Sequence, residues 1–178
     1  MGADAAAGAA TDGPTGVRRT ALVRRPVDAV GLLAAVTDPA AGGNVLFVGT
    51  TRGVTDGVVT RGLEYEAHEP LAVAALERLA GEAVARFGLT ACAVEHRLGP
   101  VAVAESSVGI ATSAPHRAEA FAAAEWLMDV IKREVPIWKC EHAADGTRRW
   151  VHPDGATPGG SDVPGRAPRP DQAPRGEA

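Results

Sequence analysis

The strongest constraint on the fold is a pair of helical segments hemmed in by proline and glycine, with only short apolar runs around them. In 70–87, Leu76, Leu79, Ala80, Ala83, Val84 and Phe87 recur at three- and four-residue spacing, which places one apolar stripe along a helix. Pro70 suits the first helical turn, and Gly88 stands where a left-handed C-cap is expected. A second helix is predicted from Pro115 or His116 to Glu134, with Ser113 as N-cap and Pro136 forbidding continuation. Phe121, Ala124, Leu127, Met128 and Ile131 make its expected core stripe. Lys132, four residues after Met128, falls on the flank of that stripe, where a lysine can bury its stem and present its amine at an edge.

The segments around these helices read as strands. Residues 20–24, 44–51, 90–97, 101–104, 107–112 and 148–152 are short and rich in β-formers, and 59–66 alternates with the period of a half-buried strand. A short helix is predicted over 27–36, closed by Asp38-Pro39 and Gly42-Gly43, and a loop over 52–57. This order indicates an α+β domain, a mixed or antiparallel sheet with flanking helices. The ends differ in composition. Residues 1–17 are mostly small, and 154–178 are rich in Pro, Gly and Arg. Neither stretch has the large apolar side chains that would offset the entropy of ordering it, so both read as disordered tails. The stretch 18–153 between them has the usual size of one domain.

A net charge of −4 gives no electrostatic case for nucleic acid as a partner. Every apolar run is far shorter than the ~20 residues of a membrane helix, and the N-terminus lacks a secretory layout. Cys92 and Cys140 make neither a disulfide framework nor a zinc site by spacing. A cytoplasmic protein without a metal or cofactor is the expectation.

Of 18 basic residues, 16 are Arg, and the two lysines, Lys132 and Lys139, share one segment, IKREVPIWKC. Lysine differs from arginine in carrying an amine that can lose its proton. The break at Pro136 would let a turn bring both amines to one pocket, where each would lower the proton affinity of the other. Such a pair suits an anionic substrate or acid–base work. Trp138 is expected to pack against the core, and Cys140 to be a small buried filler.

Two further sites suit anions. Arg52 follows a strand end beside the hydroxyls of Thr50 and Thr51, in a segment (VGTTRG) that is neither a Walker loop nor a dinucleotide fingerprint. His116 and Arg117 stand at a helix N-terminus, where free N–H groups and the helix dipole favour negative charge. A basic pair there is mismatched unless an anion binds. The run Tyr65-Glu66-Ala67-His68-Glu69 reads as a strand end followed by the acids of a helix start, not as a metal site.

The blocks NVLFVGTTRG, GLEYEAHEPLA, HRLGPVAVAESSVGIATSAPHRAEAF and DVIKREVPIWKCEHAADGTRRWV, in this order, resemble the molybdopterin synthase large-subunit family over roughly 20–151. The resemblance implies an α/β hammerhead fold and a homodimer, each copy binding a small ubiquitin-like sulfur carrier to make a heterotetramer. The carrier's C-terminal Gly-Gly thiocarboxylate would enter a pocket and donate sulfur to cyclic pyranopterin monophosphate (precursor Z). Two carriers act in turn, opening the cyclic phosphate and leaving the dithiolene of molybdopterin.

Carried over by position, Lys132 lies beside the carrier's tail, and Lys139 holds substrate or assists proton transfer. Thr50, Thr51 and Arg52 help bind the pterin phosphate, as do His116 and Arg117, while Cys140 and Glu141 continue the lysine segment. The chain departs from many relatives at Gly53-Val54-Thr55, where an Asn/His-containing loop is common, and at Cys140, where a basic residue is common. Two other readings remain: a non-catalytic module that docks a ubiquitin-like tail, and an unrelated Schiff-base lysine enzyme.

Overall fold

The computed structural model describes residues 5–7, 16–55 and 57–151. In chain order the elements are β1 (Ala5–Ala7), β2 (Val17–Val23), α1 (Ala29–Ala35), β3 (Gly43–Thr50), β4 (Val54–Thr55), β5 (Val58–Ala67) and α2 (Glu69–Phe87). They continue with β6 (Ala91–Arg97), β7 (Gly99–Ala102), β8 (Ser106–Ala114), α3 (Arg117–Glu134), β9 (Ile137–Ala143) and β10 (Arg148–Val151). The expected α+β class is what the chain adopts. The tails read at 1–17 and 154–178 lie outside the described residues, apart from β1 and residues 16 and 17, which lead into β2.

The first sheet has the order β1-β2-β6-β8-β3 and is mixed. Its β2–β6 pair is parallel, and its other pairs are antiparallel. Strand alternation divides its residues between two cores. Cys92 and Val94 of β6 pack with Leu76, Leu79 and Leu127 of α2 and α3, while Ala91 and Ala93 pack with Leu32 of α1 on the opposite face. The Thr112 hydroxyl, fully buried, donates to the Ala120 carbonyl at 2.8 Å and so ties β8 to the start of α3.

The second sheet, β10-β9-β5-β4, is antiparallel throughout, and β7 also pairs with β5. Helix α2 starts where β5 ends. His68 caps it, its Nδ1 accepting from the Leu71 N–H at 3.5 Å, and Gly88 closes it at φ 62°. Glu69 of its first turn pairs with Arg24. The Tyr65–Glu69 run is therefore the strand end and helix start that its composition suggested.

Several expectations are corrected. The segment after Pro136, for which no strand is expected, is the seven-residue strand β9. The strand expected at 101–104 is β7, which starts earlier, at Gly99 and Pro100, and ends at Ala102. A two-residue strand, β4, interrupts the expected 52–57 loop. Phe121 is 62% exposed, so the buried stripe of α3 starts instead at Ala120, Ala123 and Ala124. Trp138 is half-buried and outside both core clusters. The last strand stops at Val151, and His152 lies outside the described residues.

Candidate active site

A cavity of about 760 Å³ opens where the end of β3, the C-terminal half of α3 and the β5–β9 pair converge. Lys132 reaches it from the last turn of α3. The Val135 N–H makes the last rung of that helix, to the Ile131 carbonyl, and the helix ends there because Pro136 has no N–H to continue the ladder. Lys139 reaches the cavity from β9. The register of β9 on β5 sets Lys139 opposite Tyr65 and Glu141 opposite Leu63, and all four side chains line the cavity. Cys140, between them, faces the other way and is fully buried, as a small filler would be. The lysines thus line one cavity from a helix end and a strand, with the break at Val135-Pro136 between them.

The environments of the two lysines differ. Lys139 Nζ lies 2.9 Å from Glu141 Oε1, and Glu141 Oε2 accepts from Arg149 of β10 at 2.8 Å. Burial works to raise the Glu141 pKa, but the hydrogen bonds from Lys139 and Arg149 outweigh it and hold the carboxyl below its ordinary value. Lys132 is exposed to the cavity and has no ion-pair partner among the described residues.

Thr50 and Arg52 also line the cavity. A register shift at Gly49/Thr50 turns the strand end toward it, and Gly49 is required there because a Cβ would stand 2.6 Å from Val108 Cγ1. Thr51 is buried and lies outside the lining, and its backbone ties the loop down. Its N–H donates to the Glu105 carbonyl at 3.0 Å, and its carbonyl accepts from Ala104 at 2.9 Å. Arg52 therefore projects from a loop hung on the 102–105 turn, and it has no carboxylate partner among the described residues.

His116 and Arg117 are exposed at the N-terminus of α3, and His116 makes no side-chain cap. Arg117 and Lys132 are fifteen residues apart on one helix, about 22 Å at 1.5 Å per residue. Within one chain the pair is not brought to the cavity.

The lining also holds Tyr65, which the sequence marked only as part of a strand end, and His96 and Ser107, which it did not single out. The Tyr65 hydroxyl donates to Ser107 Oγ at 3.3 Å, and Ser107 donates to the Gly49 carbonyl at 3.4 Å. Burial raises the Tyr65 pKa, with a smaller lowering by Ser107 and a smaller raising by the Glu141 charge. His96 packs edge-on against Tyr65, ring centroids 5.0 Å apart. Strand β6 is buried on both faces, so hydropathy carried no sign of which residue faced a cavity.

A protein-family model described as MoaE protein matches residues 22–134, more than half of the chain. The chain belongs to the MoaE family. It is 38% identical over 141 residues to the molybdopterin synthase catalytic subunit of Emericella nidulans, covering 79% of this chain and 72% of that one. It is 34% identical to the subunit of the same name from Pyrococcus abyssi, covering 80% and 97%. Among solved structures, molybdopterin synthase from Staphylococcus aureus matches with TM-score 0.69 and 35% identity over 72% of this chain and 93% of that one. The complex of subunits 1 and 2 of molybdopterin-converting factor from Helicobacter pylori matches with TM-score 0.59 and 25% identity over 72% and 87%. The family is thus one of enzymes of molybdopterin synthesis, and its members share this α+β fold.

Proposed function

We propose that this chain transfers sulfur from the thiocarboxylated C-terminus of a small ubiquitin-like carrier to cyclic pyranopterin monophosphate, forming the dithiolene of molybdopterin in the cytoplasm. The observation that carries the reading is the convergence of Lys132, Lys139, Arg52 and Thr50 on one cavity in a chain with a net charge of −4. The thiocarboxylate, the cyclic phosphate and the phosphate freed by ring opening are all anions. The carrier's sulfur is itself the nucleophile, so the chain need only place the reactants, stabilise their charge and move protons. Each charge-assisted hydrogen bond contributes on the order of 1.5–3 kcal/mol when desolvated. Lys132, lacking a carboxylate partner, is the group assigned to the carrier's tail. Lys139, held by Glu141, is assigned to the pterin.

His116 and Arg117 enter this reading through a second copy. The resemblance gives them to the substrate pocket, yet they stand about 22 Å from Lys132 along α3. A homodimer in which each copy lends this pair to its neighbour's cavity reconciles the two. The outer edge of β3, which pairs with no further strand among the described residues, and the exposed Phe121 supply surface for such a contact.

The test is to mix the purified chain with a thiocarboxylated carrier and cyclic pyranopterin monophosphate and assay molybdopterin. Product that disappears in Lys132→Ala, with the fold intact, supports the reading. A well-folded chain that binds the carrier and gives no product is a docking module instead. Borohydride trapping of a carbonyl compound on either lysine would point to the Schiff-base alternative.

A further inference from the structure

Strand β6 sends consecutive side chains to opposite faces of the first sheet. Glu95 is taken up by Arg25, at 2.8 and 3.1 Å, and by the Asp28 N–H at 3.1 Å. His96 turns to the other face and lines the cavity while remaining 6% exposed. Its Nδ1 lies 3.0 Å from the Arg97 carbonyl oxygen. A carbonyl only accepts, so Nδ1 carries the proton and Nε2 presents a lone pair. Nε2 has no partner among the described residues, and it is not one of the atoms sealed from solvent. Burial pushes the imidazole's pKa down to about 4, partly offset by the bond to the Arg97 carbonyl. At neutral pH the ring is uncharged and this tautomer holds.

Buried polar atoms are nearly always paired, so an open acceptor in a cavity wall marks a place for a ligand's donor. The charged groups that reach the cavity with capacity to spare, Arg52 and Lys132, can only donate. The other strong acceptor, Glu141, is committed to Lys139 and Arg149. We propose that His96 is a specificity-determining residue whose Nε2 accepts a hydrogen bond from a ring N–H, amino or hydroxyl group of a ligand whose anionic end is held by the arginine and lysines. The cavity is thereby bipolar. It selects a donor-bearing heterocycle joined to a phosphate over a phosphate alone, which rests on the reading of the site as one for a pyranopterin phosphate and adds the contact that recognises its uncharged part.

The test uses the full chain and direct titration with two probes, cyclic pyranopterin monophosphate and inorganic phosphate. His96→Asn keeps a donor for the Arg97 carbonyl and removes the Nε2 acceptor. His96→Gln restores an amide oxygen near the Nε2 position. His96→Phe keeps the ring volume against Tyr65 should the asparagine variant fail to fold. The Kd for the pterin is expected to rise about 10-fold or more in the Asn and Phe variants and to stay within about 3-fold in Gln. The Kd for inorganic phosphate is expected to be unchanged in all three. Wild-type pterin affinity in folded Asn or Phe variants overturns the inference, as does an equal loss for both probes. Failure of the wild-type chain to form product with carrier and pterin would instead overturn the proposed reaction and leave this comparison of affinities standing on its own.

Discussion

Lys132 and Lys139 line one cavity, but their neighbours make them chemically unequal. Lys139 sits against a carboxylate that Arg149 also grips, whereas Lys132 offers its charge to whatever enters. Lys132→Ala should therefore lower molybdopterin formation by at least about 100-fold without moving the melting temperature, since an exposed charge adds little to stability. Near-normal turnover in a folded variant would remove the lysine from the mechanism. His96 gives a second prediction with a defined sign. Between pH 6.5 and about 4 the unfolded chain takes up a proton that the folded imidazole refuses, so stability falls as the pH falls through this window. The contribution is roughly 3 kcal/mol, and it is fully present above pH 6.5. Glu141, held below its ordinary value, adds a loss in the same direction only toward the acid end. Urea unfolding from pH 7 to pH 4 should show a shallower decline in His96→Asn than in the natural chain; parallel curves would show that His96 is not the group responsible. Among these residues, the lysines were visible in the sequence because the chain uses arginine everywhere else. His96 was not, because inward-facing histidine and alanine look alike in a strand buried on both sides.

At the scale of elements, the long helices and most strands were legible, β5 by its period-two alternation, and β9 was not. Helices α2 and α3 announce their ends by Pro70, Gly88 and Pro136, and the structure keeps those ends. Strand β9 carries Pro136 just before it and reads Ile-Trp-Lys-Cys-Glu-His-Ala, a pattern whose burial does not alternate cleanly because Cys140 and Glu141 are both enclosed. Its pairing with β5 is a long-range fact that no local period encodes. The same limit hid the 102–105 turn, in which Ala104 takes φ 68° and its N–H supports the Thr51 carbonyl below Arg52. A left-handed alanine costs about 1–2 kcal/mol, and glycine relieves this while adding about 0.5–1 kcal/mol of chain entropy to the cost of folding. Ala104→Gly should therefore raise stability by up to about 1 kcal/mol, seen as a rise of a few degrees in Tm, with turnover retained because the hydrogen bonds to Thr51 are backbone bonds. A lower Tm would mean that the alanine methyl makes a contact worth more than the strain.

At the scale of the whole molecule, the open question is why the basic pair His116-Arg117 lies at one end of α3 and the lysine at the other. The sequence marked both as anion sites and had no means of saying that one helix would separate them. If each cavity is completed by the neighbouring copy, Arg117→Ala damages the neighbour's site and Lys132→Ala damages its own. Each variant alone would then form dimers in which both sites are defective. Mixed and allowed to exchange subunits, the two would form hybrids in which one site carries both defects and the other carries neither. Random exchange makes about half of the dimers hybrids, so activity should return to about a quarter of the natural level, with each hybrid supplying one intact site of two. Were the pair to act within its own chain, every site in the mixture would keep one defect and no activity would return. Were the pair to serve no site at all, Arg117→Ala would be active before mixing. Measuring turnover of the two variants apart and together, with sedimentation to establish that exchange has occurred, distinguishes the three arrangements.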